Sequence, residues 1–192
     1  MNNEQTPIER HPWLPYVPEG ARYLFLGTFP PQEHRWSMAF YYPNRTNDFW
    51  RIMGLIFGGD RNALWDNELN RFNLDAITSL LDREHIALWD TGMAVRRLKG
   101  NASDKFLEIV EPINLAALLD KNPTITQVIT TGEKATGIIA SQAGVEIPVI
   151  GVPVKCRVGC HDITMWRMPS SSRAYPLALE KKAEAYRKIF GL

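Results

Sequence analysis

Apolar residues at Phe49, Ile52, Met53, Ile56 and Phe57 recur at helical spacing, which puts them on one face of a helix over Asp48–Phe57. Asn47 stands at the N-cap position, Asp48 suits the positive helix start, and Gly58-Gly59 supply the stop. "LDAITSLLDREH" repeats this pattern, and "EPINLAALLDKNP" is a short helix stopped by Asn122-Pro123. "EKATGIIASQAG" is a helix ending at Gly144. The last helix turns Leu179, Ala183, Tyr186 and Phe190 inward, the rest being Lys, Glu and Arg. Short continuous apolar runs bounded by turn residues read as buried strands: Tyr23–Leu26 ending at Gly27, "IALWDTG" with Asp90 at its carboxyl end, "QVITTG", "PVIGVP" and "DITMWRM". Residues 1–20 form an extended lead-in, Pro-rich through "HPWLPYVPEG", and "AVRRLKGNASDK" reads as a basic loop.

Strands alternating with helices predict a three-layer α/β/α sandwich around a mostly parallel sheet of four to five strands. No repeat, low-complexity tract or linker divides residues 1–192, which read as one domain. In such a fold ligands bind beyond the carboxyl ends of the strands. Gly27-Thr28, Asp90-Thr91, Thr131-Gly132 and Met168-Pro169-Ser170 all lie at such ends.

Composition narrows this little. A chain with 45% hydrophobic and 22% charged residues can bury an ordinary core. A net charge of +1 neither demands nor excludes a polyanionic partner, so nucleic-acid binding would need local patches. Glu4 and Glu9 with no apolar core argue against a secretory signal, and no apolar run approaches the ~18 residues of a spanning helix. A reducing cytoplasm is therefore expected. Cys156 and Cys160 cannot cage an iron–sulfur cluster. With His161 they could offer three ligands to zinc, but the fourth is missing, and reduced thiols with no metal are the reading taken.

Three stretches could carry chemistry. "LGTFPP", Leu26–Pro31, lacks the glycine pattern and lysine of a phosphate loop. It opens a run from Thr28 to Thr46 with no periodicity, a length usually functional or disordered; its Trp, Phe, Tyr and Pro content favours a structured loop. In "YYPNRTNDFW", Tyr42 offers a stacking face and Asn47 a neutral amide, as a flat heteroaromatic base requires. The plainer alternatives are core packing for the tyrosines and helix capping for Asn47. In "MPSSSRAYP", Ser170, Ser171 and Ser172 can cap the following helix or hold phosphates, with Arg173 at the tip. Arg96, Arg97 and Lys99, and Lys155 with Arg157, form further basic clusters of a kind usually spent on solvated surface.

In this order, "GTFP", "YYPNRTNDFW" and "MPSSSRA" resemble the uracil-DNA glycosylase superfamily, nearest its mismatch-specific uracil and thymine and its hypoxanthine branches. "IALWDTGMAVRRLKGNASD" and "ITTGEKA" are similar to the hypoxanthine branch, so the resemblance spans Tyr23–Leu192. It implies a monofunctional glycosylase of DNA base-excision repair. Such an enzyme flips a deaminated base, uracil or hypoxanthine, out of duplex or single-stranded DNA and hydrolyses its N-glycosidic bond without cofactor. It implies that Tyr42 stacks on the base and that Gly27, Thr28, Phe29 and Pro30 line its pocket. Ser170, Ser171 and Ser172 would grip phosphates while Arg173 enters the duplex, one residue earlier than in the thymine-specific branch. Phe29 stands where better-known branches carry the Asn or Asp that positions water. The hypoxanthine branch relies instead on the Asn before its "FW" pair, here Asn47. Asp90 is the second catalytic candidate, its alternative being a strand-end turn or cap. A monomer is expected. Two further readings stay open: a non-catalytic DNA-binding relative, because of Phe29, and an N-ribosidase of free nucleosides.

Overall fold

Continuous apolar runs form strands because a parallel sheet covered on both faces buries every side chain along them. A computed structural model describes residues 6–99 and 104–192. Its strands are β1 (Ile8–Arg10), β2 (Tyr23–Gly27), β3 (Trp65–Asp66), β4 (Arg71–Phe72), β5 (Ile86–Asp90), β6 (Gly92–Arg97), β7 (Leu107–Pro112), β8 (Gln127–Thr130), β9 (Val154–Val158) and β10 (His161–Arg167). The helices are α1 (Phe49–Phe57), α2 (Leu74–Arg83), α3 (Leu115–Lys121), α4 (Glu133–Ala143) and α5 (Leu179–Phe190). The central sheet runs β5-β2-β8-β10-β9; the first four strands are parallel and β9 is an antiparallel edge.

Side chains alternate across this sheet with the period of two that a strand imposes. Phe25, Leu88 and Ile129 face one core with α1, α2 and α5; Leu24, Leu26, Ala87, Val128 and Met165 face the other with α3 and α4. The result is the expected α/β/α sandwich with a mostly parallel five-stranded sheet. Among the described residues no helix is long and apolar enough to cross a membrane.

Several local expectations are corrected. "PVIGVP" is not a strand: Pro148 and Pro153 cannot donate to a ladder, and Gly151 turns the chain at φ +74°. Its apolar residues are left outside, Val149 being 70% exposed, and pairing resumes at Val154. The start of the basic stretch, residues 94–97, belongs to strand β6 and not to a loop, and β6 is held antiparallel between β1 and β7. Its arginines are spent on cross-strand acids, Arg96 to Glu108 at 3.3 Å and buried Arg97 to Glu9 at 3.0 Å. Lys155 and Arg157 likewise sit on β9, with Arg157 paired to Asp162 at 2.8 Å.

The lead-in also contains regular structure, since β1 pairs with β6. Farther along, Tyr16 exchanges backbone hydrogen bonds with Leu88 of β5, at 3.0 and 2.8 Å, and so covers the open edge of the main sheet. The expected reading of residues 1–5, and of 100–103 within the basic stretch, lies outside the described residues. The inward face of α5 is wider than its apolar stripe, because Lys182 is completely buried. Helix α1 begins at Phe49, with Asp48 as its N-cap residue, one position later than the spacing suggests.

Candidate active site

The four strand ends named from the sequence meet in space. Backbone bonds lace them together: Thr91 N–H to the Gly27 carbonyl (2.9 Å), Thr131 N–H to Leu26 (3.1 Å) and Met168 N–H to Thr130 (2.9 Å). Beyond them opens a cleft of about 1210 Å³. Every sequence-predicted site residue lines it: Gly27, Thr28, Phe29 and Pro30 on one wall, Tyr42 and Asn47 on another, with Asp90. Ser170, Ser171, Ser172 and Arg173 complete it.

The long loop after β2 is ordered by its own contacts. A 3-10 turn spans Glu33–Arg35, the Trp36 indole donates to the Pro31 carbonyl at 2.7 Å, and Ser37 N–H donates to Pro43 at 2.8 Å. This delivers Tyr42 at φ +50°, a left-handed conformation that a tyrosine holds only under tertiary constraint. Its ring lies flat on Phe49, 3.7 Å between centroids and 13° between planes, and its hydroxyl meets Thr131 Oγ1 at 3.1 Å. Burial, aided by the charge of Asp90, pushes the Tyr42 phenol well above its ordinary value, so it stays neutral. One face is thus backed by an aromatic core while the residue still borders the cleft.

Asn47 does the work of a cap from one position upstream. Its Oδ1 accepts the Phe49 N–H at 2.9 Å, and among the described residues its Nδ2 donates no hydrogen bond. Asp48, freed from capping, pairs with Lys182 Nζ at 2.8 Å. The same Nζ donates to the Ser172 carbonyl at 2.8 Å, and Asp48 N–H donates to Ser171 O at 2.8 Å. One buried ion pair therefore ties the start of α1 to the serine loop. The serines do not cap α5, whose N-cap is Ala178. Instead Ser170 Oγ accepts from Ser172 N–H and Ser172 Oγ from Ala174 N–H, shaping a loop with Arg173 exposed at its tip.

Sequence reasoning missed two carboxylate partnerships. His11, from the lead-in, donates Nε2–H to Asp90 Oδ2 at 2.9 Å. Phe29 packs edge-on against that imidazole, 5.5 Å between centroids, with the Arg97 guanidinium 5.8 Å from the centroid of the Phe29 ring. Asp104, also lining the cleft, accepts the Thr28 hydroxyl at 2.7 Å. Burial, with help from the charge of Asp90 and against the Thr28 bond, raises the Asp104 carboxyl above its usual range. No local spacing marks His11 or Asp104, since both partners lie more than 70 positions away in sequence.

A carboxyl raised on folding costs stability where it is ionised. Folded Asp104 holds its proton to higher pH than the unfolded chain, so the penalty is absent below the unfolded value and complete above the folded one. Asp104→Asn is expected to raise the melting temperature at pH 7 and leave it nearly unchanged near pH 3.5. Equal shifts at both would exclude this account.

The cysteines part company. Cys156 lies on β9, whereas Cys160 and His161 sit beside Asp120 at the opposite end of β10 from the cleft. His161 Nε2–H donates to Asp120 Oδ1 at 2.8 Å, and Cys160 Sγ is 4.0 Å from the same oxygen. Besides Asp90, Asp104 and Glu133, the cleft carries Arg35, Lys105, Lys134, Arg167 and Arg173 along its walls, a local excess of positive charge that net charge conceals.

No family model matches the chain. A hypoxanthine DNA glycosylase of Methanosarcina barkeri (strain Fusaro / DSM 804) is 34% identical over 133 residues, 67% of this chain and 74% of that protein. A solution NMR structure of a Methanosarcina acetivorans protein, provisionally named a uracil DNA glycosylase, superposes with a TM-score of 0.62 at 23% identity. That likeness covers 96% of this chain and 99% of the other, and concerns the fold.

Proposed function

Because the chain belongs to the uracil-DNA glycosylase superfamily, we propose that it is a monofunctional DNA glycosylase of base-excision repair that hydrolyses the N-glycosidic bond of a flipped deaminated base, hypoxanthine or uracil. The observation that carries this reading is the single cleft uniting Tyr42, stacked on Phe49, with Asn47 and the Ser170–Arg173 loop. Extruding a base costs a few kcal/mol. Stacking on Tyr42 returns roughly 1–3 kcal/mol of it.

Cleavage builds positive charge on the sugar and negative charge on the departing base. The neutral pocket wall from Gly27 to Pro30, with Lys134 and Lys105 nearby, favours the base anion. Asn47 positions the attacking water through Nδ2, its Oδ1 being held by the Phe49 N–H. Asp90, the other catalytic candidate, keeps Oδ1 beside Gly27 on the cleft wall, and there accepts a ring N–H from the base. A Cβ at Gly27 would collide with that oxygen, so any larger residue there must displace the Asp90 carboxylate. Ser170, Ser171 and Ser172 grip phosphates, and Arg173 enters the gap left in the duplex. The protein acts as a monomer.

The test is alkaline cleavage of end-labelled duplexes carrying one hypoxanthine or one uracil, with enzyme in excess and an undamaged duplex as control. Strand breaks at the deaminated base are the expected result. Phe29, packed on His11, supports a second reading as a non-catalytic DNA-binding member. Salt-dependent binding without breaks would favour it, and nucleoside turnover with weak, salt-insensitive binding would point to an N-ribosidase.

A further inference from the structure

Asp90 and His11 make a pair that the reaction as proposed does not explain. Their side chains are 9% and 3% exposed, and the imidazole is boxed by Trp13, Phe29 and Tyr41 with centroids 5.5 to 5.9 Å away. Its Nδ1 meets the Trp13 backbone, 3.2 Å from the N–H nitrogen that donates to it and 2.9 Å from the carbonyl oxygen, so both ring nitrogens have fixed neighbours. Burying such polar groups costs free energy, and an apolar pair would fill the box more cheaply. What the pair achieves is geometric. His11 engages Oδ2, and Oδ1 is left against Gly27 on the cleft wall.

The substrates supply the reason for that geometry. Adenine N1 and cytosine N3 are hydrogen-bond acceptors, whereas the corresponding nitrogens of hypoxanthine and uracil carry a hydrogen. An ionised carboxylate oxygen can only accept. Aimed at that edge, it bonds a deaminated base and opposes its parent, which places two lone pairs face to face. The discrimination lasts only while Oδ1 cannot turn away. A donor fixed on Oδ2 prevents the turn, and it also offsets carboxylate charge that would oppose a departing base anion.

We infer that His11 is a positioning residue that confers specificity for deaminated bases, holding Asp90 Oδ1 as an acceptor toward the ring N–H. The inference rests on the glycosylase reading and deepens it. Its test compares kcat/KM on duplexes carrying hypoxanthine or unsubstituted purine (as deoxynebularine), which has neither the N1–H nor the exocyclic oxygen. Wild type prefers hypoxanthine, and His11→Leu lowers that preference about tenfold or more, the worth of one directed hydrogen bond. His11→Gln, which keeps a side-chain N–H donor, retains most of it. In the double variant His11→Leu/Asp90→Ala the preference equals that of Asp90→Ala alone, because His11 acts through Asp90.

A folded His11→Leu with unchanged preference overturns the inference, and so does an equal loss on both substrates, the mark of a merely structural role. Should His11→Leu fail a thermal melt, His11→Asn, too short to reach Oδ2, carries the same comparison. Wild type that releases neither hypoxanthine nor uracil overturns the glycosylase reading itself, which separates the two failures.

Discussion

Asn47→Ala is expected to lower single-turnover base excision on the order of a hundredfold or more, the usual cost of losing the group that positions a reactant. The difficulty lies in separating that loss from a loss of structure. Asn47 Oδ1 holds the Phe49 N–H at 2.9 Å, and deleting such a cap costs about 1 kcal/mol. In a chain of this size that lowers the melting temperature by roughly 2–4 °C, too little to empty the folded state. Asn47→Asp sharpens the comparison, since the carboxylate keeps an acceptor for Phe49 and removes the Nδ2 donor. If water is held through Nδ2, this variant melts close to wild type yet excises as poorly as Asn47→Ala. Wild-type rates in a folded Asn47→Ala would return Asn47 to capping and leave Asp90 as the catalytic candidate.

Lys182→Met is expected to destabilise the protein by about 3–5 kcal/mol, the cost of stranding one partner of a buried pair. Lys182 is fully buried, and its Nζ donates to Asp48 Oδ2 and to the Ser172 carbonyl, each at 2.8 Å. Its removal leaves the Asp48 carboxylate facing an apolar side chain and the serine loop without its anchor. The double variant Lys182→Met/Asp48→Asn should regain a large part of the loss, because the cost resides in the uncompensated charge. Denaturant titration measures both. DNA affinity should fall even where Lys182→Met remains folded, since Ser171 and Ser172 hang from the same clamp. A single-variant loss below about 1 kcal/mol would show that Asp48 finds other partners or water.

The two variants probe different depths of legibility. Asn47 was visible because a cap residue ahead of an apolar helical face is a local pattern, and its one-residue offset from the true N-cap does not disturb that. By sequence Lys182 belongs to the polar face, because a lysine among Lys, Glu and Arg on an amphipathic helix is normally solvated. Its burial depends on Asp48, 134 positions earlier, which no periodicity can announce. The same holds for β6. Its arginines look like a basic loop until Glu9 and Glu108 arrive from flanking strands. "PVIGVP" failed in the opposite sense. Its apolar content outvoted two prolines and a glycine whose backbone limits decide the matter.

What the sequence determined alone was the local and periodic part of this protein. Apolar runs of strand length, helical faces with their stops, and turn residues at strand ends specify the parallel α/β/α sandwich. They also specify the end of the sheet where Gly27, Asp90, Thr131 and Ser170 gather. Only the tertiary structure decided how those residues are held: Tyr42 on Phe49, Asp90 on His11, Thr28 on Asp104 and Asp48 on Lys182. The physical reason is that burial makes a polar group depend on a partner, and the partner is whatever the folded chain brings within about 3 Å, however distant in sequence.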